Sequence, residues 1–108
     1  MNQAELQRFR NQNMRKIKHE DSQHYNKLNI HAQNTFQHEK KKFEICYQLR
    51  EQGKHFITEA RFKNKDIRAD IYVLDDDKII EIESSSYEMS ERKKDYPENT
   101  EIILLEED

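Results

Sequence analysis

A chain of 108 residues, 38% of them charged and only 33% hydrophobic, can build one lean core and not two. A single glycine and a single proline exclude a loop-rich barrel or sandwich and any glycine-rich phosphate loop, and the lone Cys46 excludes an internal disulfide framework and a cysteine zinc site. No apolar run approaches the roughly 20 residues of a membrane helix and the opening MNQAELQRFR is unlike a signal peptide, so a soluble intracellular protein without membrane association is expected.

The net charge of −3 conceals a split: residues 1–42 carry nine Lys/Arg against four Asp/Glu (+5), and residues 43–108 carry ten against eighteen (−8). A basic arm that touches polyanions beside an acidic centre that holds cations fits this pattern. A solvated polar helix that balances an acidic sheet fits it equally.

Residues 1–35 are rich in Asn, Gln and His, and their apolar positions (Leu6, Phe9, Met14, Ile17, Tyr25, Leu28, Ile30) are helically spaced but sparse. They read as a polar, basic extension, helical or partly mobile, that orders only by docking on something else. Residues 36–108 read as the folded α/β domain. Phe36, Phe43, Ile45, Cys46 and Leu49 form the stripe of a helix that ends at REQGK, where Gly53 suits the position after the C-cap. Cys46 belongs to that stripe as a small buried hydrophobe rather than a nucleophile.

HFITEARF then alternates, with Phe56, Thr58, Ala60 and Phe62 on one face of a strand and Ile57, Glu59 and Arg61 on the other. IRADIYVL and KIIEIES are further strands, separated by the acidic turn Asp75, Asp76, Asp77. SSSYEMSERKKDY reads as a helix capped by Ser85 with Glu88 and followed by Pro97, and TEIILL as a strand covered on both faces. The order is α-β-β-β-α-β: a mixed sheet of about four strands flanked by helices, an α/β (mixed α+β) fold.

Three carboxylates stand out in DIYVLDDDKIIEIES. Alternation sets Asp70 with Tyr72, and Glu81 with Glu83 opposite Ile80 and Ile82. A two-residue loop at Asp75–Asp76 would put Asp70 directly across from Glu81, whereas a three-residue loop would turn them to opposite faces. The two-residue register is expected, because it gathers the apolar sets on one face and the acids on the other. Like charges directly opposite are destabilising, and a divalent cation between them reverses that sign. A water-facing acidic sheet is the plainer reading; a magnesium or manganese site held by Asp70 and Glu81, with Glu83 beside them, is the sharper one.

On these residues and this order the stretch 36–105 resembles the PD-(D/E)XK nuclease superfamily, in particular its short archaeal, viral and Holliday-junction-resolvase-like members, whose core follows the same α-β-β-β-α-β order. The resemblance implies a catalytic acid at Asp70 in RAD and an acid–x–Lys motif at EIE, with Glu81 as the acid and Glu83 standing where the lysine would be. It implies a helical glutamate, Glu39 or Glu44 in HEKKKFEI, and an accessory ligand in Glu59. Glu83 departs from the pattern, because it brings no positive charge to the attacking water. A second metal on Glu83 would repair this, as would Lys42 or Lys78 reaching in. Otherwise the core is a relic that binds without cutting.

His24, His31 and His38 recur every seven residues, about 10.5 Å apart along a helix, so no two share one metal. His38 begins the helix that flanks the carboxylates and is expected to contact water or phosphate. Lys40, Lys41 and Lys42 lie within one turn and are expected to contact a nucleic-acid backbone. Ser84 to Ser86 read as strand end and cap. The expected function is a metal-dependent DNA endonuclease or exonuclease, the alternative a non-catalytic nucleic-acid-binding or assembly protein on a decayed nuclease core. A homodimer is expected, with residues 1–35 at its interface or ordered on DNA.

Overall fold

The computed structural model describes residues 1–84 and 96–105. The helix expected from Ser84 to Tyr96, with its Ser85–Glu88 cap, falls on residues 85–95 and so lies outside the described residues. The rest is a mixed α+β fold of three helices and four strands: α1 (Gln3–Met14), α2 (His19–Ser22), α3 (Phe36–Glu51), β1 (Phe56–Arg61), β2 (Arg68–Val73), β3 (Lys78–Glu83) and β4 (Thr100–Leu104). The sheet runs β1-β2-β3-β4 in space, antiparallel across the first three strands and parallel between β3 and β4. No described helix is long and apolar enough to cross a membrane.

Both faces of the sheet are covered. On one, Ile45, Cys46 and Leu49 of α3 pack on Phe56, Ile71, Val73, Ile80 and Ile82. Thr35 caps that helix, its Oγ1 accepting the His38 N–H, and Gly53 (φ 72) follows the end as the sequence suggests. On the other face Ile17, with Met14 at its edge, packs on Ile57, Phe62, Tyr72, Leu74 and Ile79.

Residues 1–35, set apart by the sequence as an extension, are thus built into the domain. Ile17 is 1% exposed. Asn13 Nδ2 donates to the Leu74 carbonyl at 2.8 Å, and Arg10 grips Asp75 with two bonds of 3.0 and 2.9 Å. The acidic turn is tied throughout: Asp76 to Lys54, and Asp77 to Lys16 and the Tyr72 hydroxyl. A thin apolar content did not reveal this docking, because polar side chains carry much of it.

The same segment seals the outer edge of β1. The Asn26 N–H donates to the Phe56 carbonyl at 2.7 Å and Lys18 N–H to the Arg61 carbonyl at 2.9 Å, while Asp21 accepts the Arg61 N–H and its guanidinium. Unpaired edge groups are thereby satisfied.

The β2–β3 register is the one expected from a two-residue loop: Val73 pairs with Lys78, Tyr72 with Ile79, Ile71 with Ile80. Strict alternation fails elsewhere. Ile57 and Ala60 share one core cluster, as do Ala69 and Tyr72, although residues three apart should face opposite ways. The expected face Phe56, Thr58, Ala60, Phe62 is therefore broken, with Phe56 against α3 and Ala60 and Phe62 on the other side. The cause lies at Glu59, whose φ of 50° is left-handed, and the β1–β2 ladder skips Glu59 and Asp70. Such an irregularity re-aims side chains, and here it turns both acids toward α3.

Candidate functional site

The strands β2 and β3 part beyond the Ile71–Ile80 pair, and side chains take over the ladder. Asp70 Oδ2 accepts the Ile82 N–H at 2.8 Å, and Glu81 Oε1 accepts the Asp70 N–H at 3.3 Å. His38, on the first turn of α3, places Nε2 3.2 Å from the same Asp70 oxygen. The expected sharing of one face by the two acids, opposite the apolar residues, is not met. Both faces are apolar: alternation assigns Glu81 to the face of Ile79, and the slip at Glu59 turns Asp70 toward α3. Their carboxyl groups nevertheless meet in the gap between the parted strands.

Glu81 is 7% exposed. Burial pushes its carboxyl well above the usual range, and the Asp70 charge beside it, with a smaller contribution from Glu83, pushes the same way. The pair therefore keeps a proton well past the pH at which free carboxyls lose theirs.

Lys42 is wholly buried beside this pair. Its ammonium donates to the Asn29 carbonyl at 2.6 Å, meets Glu39 Oε2 at 2.7 Å and donates to Glu59 Oε2 at 3.3 Å. Two hydrogen bonds and a close ion pair with Glu39, whose Oε2 is not in hydrogen-bond geometry, make a buried cation tolerable. Burial alone would raise Glu39, but the Lys42 ammonium and the Asn34 hydrogen bond outweigh it and hold that carboxyl below its ordinary value. Glu59 goes the other way: burial raises it more than Lys42 and the 3.5 Å contact with Arg68 lower it. His38 Nδ1 is buried with no hydrogen-bond partner, since Glu39 Oε1 at 3.6 Å is too far.

The residues singled out from sequence thus divide. Asp70, Glu81, Glu39, Glu59, His38 and Lys42 form one cluster where α3 begins and the strands part. Glu83 neighbours it and accepts the Tyr96 hydroxyl at 2.9 Å. Glu44 is half-exposed and pairs with Lys41 at 3.4 Å, so of the two helical glutamates only Glu39 joins the acids. Lys78 reaches Glu101 at 2.6 Å, at the opposite end of β3. Of the lysine run only Lys40 and Lys41 reach the surface; Lys42 is enclosed and cannot seat a nucleic-acid backbone.

Asn29, Asn34 and Arg68 complete the cluster and were not anticipated. The two asparagines fall in the segment read as an extension, and nothing in their spacing advertises the contact.

Asp70 and Glu81 present the donor set a hard divalent cation favours, two carboxylates whose repulsion it would relieve. Among the described residues, no group of three or more His, Cys, Asp or Glu side chains is arranged to hold a metal ion. Of the protein side chains described, an ion there would have at most these two carboxylates. Comparison of the chain with protein-family models, curated proteins and solved structures finds no match.

Proposed function

We propose that this protein is a magnesium- or manganese-dependent DNA nuclease in which Asp70 and Glu81 hold the ion. One observation carries the reading: two carboxyl groups are forced together, nearly buried, where the strands part, at a cost that a cation would cancel. Around them, α3 laid on a β1-β2-β3 meander and a parallel β4 support the comparison with the PD-(D/E)XK superfamily, whose second helix would fall outside the described residues.

In this reading a bound ion polarises the scissile phosphate and lowers the pKa of the attacking water. The Ile82 N–H and His38 Nε2 fix the Asp70 carboxylate from two sides, both on Oδ2. An ion held by Glu81 would require that carboxyl to release its proton to solvent, so affinity should rise with pH. Lys42 is spent on Glu39 and Glu59, so the positive charge that the EIE motif lacks would have to come from a second ion. Lys40 offers exposed charge for the backbone, while Lys41 is half-buried and paired with Glu44.

The test is incubation of purified protein with linear, single-stranded and branched DNA and either ion. Cutting that EDTA stops and Asp70→Asn abolishes is expected; intact DNA in every case overturns the enzyme reading. The second reading, a binding protein on a decayed nuclease core, is favoured by the full engagement of Lys42. It requires DNA binding that weakens steeply with salt and persists both in EDTA and in Asp70→Asn.

A further inference from the structure

We propose that the outer face of α3, with Leu28 beside it, is the interface of a two-fold homodimer. This goes beyond the nuclease reading and does not depend on it. Phe36, Phe43 and Tyr47 are 75%, 52% and 48% exposed, and Leu28 adds exposed apolar surface beside Phe43 and Tyr47. At about 100° per residue the three α3 aromatics fall within roughly 40° of arc, with Lys40 and Arg50 on the same side. Between Leu28, Phe43, Tyr47, Arg50 and Phe56 lies a groove of about 330 Å³ floored by Cys46. An apolar, aromatic patch edged by arginine has the make-up of a protein interface rather than of ordinary surface.

The charges along the helix select a second copy of this chain as the occupant. Lys40 and Arg50 have no carboxylate partner among the described residues, and Arg50 lies 6.0 Å over the Tyr47 ring. Glu44 and Glu51, both exposed, line one edge of the stripe, which disfavours a polyanion. Lys40, toward the N-terminus of the helix, and Glu51, at its C-terminal end, lie on that same edge. An antiparallel crossing that lays Phe43 against Tyr47 of the partner subunit also brings Lys40 to Glu51 of the partner subunit. The two-fold axis makes that ion pair twice, as an isologous contact requires.

Sedimentation velocity on the full chain up to about 100 µM tests this, a range that detects micromolar association. A dimer is expected, and Phe43→Glu with Tyr47→Glu should give a folded monomer whose thermal melt matches that of the parent diluted below its dissociation constant, since both side chains are exposed. Lys40→Glu and Glu51→Lys should each weaken association about tenfold, and together restore it to within about threefold of the parent. A parent monomer at that concentration overturns the proposal, as does a dimer indifferent to the aromatic substitutions or a charge-swapped pair no tighter than the singles. A monomer whose binding to a single-stranded oligonucleotide is lost in Phe43→Glu overturns it too, giving the face to bases instead.

Discussion

Asp70 and Glu81 stand in for two rungs of a β-ladder: each carboxyl accepts a backbone N–H of the opposite strand, Ile82 at 2.8 Å and Asp70 at 3.3 Å. The arrangement keeps the strands parted and the acids adjacent. Glu81→Gln keeps the acceptor and removes the buried acid. In metal-free buffer at pH 8 it should therefore stabilise the fold by about 1 kcal/mol while abolishing cation binding and cutting. Urea unfolding and isothermal titration with manganese check both halves; a variant less stable than the parent would show that the pair is not under repulsion.

The same pair sets a pH dependence. Glu81 is raised in the folded state above the ordinary carboxyl value of 4.5, so the folded chain binds more protons than the unfolded one over the range above it. Its contribution is fully present below that value and is lost as pH rises toward the folded pKa. Metal-free stability should decline across neutral and mildly alkaline pH, and Glu81→Gln or saturating magnesium should flatten the slope. Asp75, Asp21 and Glu39, which are lowered, act in the opposite sense and only in acid. Denaturant midpoints from pH 5 to about pH 9 in parent and variant isolate the Glu81 component; parallel curves would refute it.

Lys42 holds two glutamates and a carbonyl without any access to water. Lys42→Met leaves those carboxylates facing each other and should cost about 3–5 kcal/mol, with part recovered when Glu39→Gln and Glu59→Gln are added. A cost under about 1 kcal/mol in chemical denaturation would mean that the cluster is open to solvent.

Arg10 and Asp75, both under a tenth exposed, join α1 to the acidic turn. Arg10→Ala strips a bidentate partner from a nearly buried carboxylate and should lower stability by about 3 kcal/mol. An unchanged thermal melt would return residues 1–14 to the status of a tether.

Much of the sheet could be read from the chain because its signals are local. The two alternating runs around DDD fixed which residues face across β2 and β3, and Gly53 marked the end of α3. What escaped depends on backbone and on burial of polar groups. Glu59 adopts a left-handed φ that glycine usually signals, so the slip that turns Glu59 and Asp70 toward α3 left no mark in the residue pattern. HEKKKFE marked Lys42 both as one of three lysines for a nucleic-acid backbone and as one candidate to reach toward the acids, and nothing in the run set it apart as the lysine wholly inside the protein. Asn29 and Asn34 gained their roles from a loop path that hydrophobic spacing does not encode.

The strap along β1 limits how these molecules can gather. With Asn26, Lys18 and Asp21 occupying the strand's outward backbone groups, a neighbouring chain on that side meets only side chains. Strand-on-strand growth is closed on that side, so a second chain can extend the sheet only past β4, at the opposite edge.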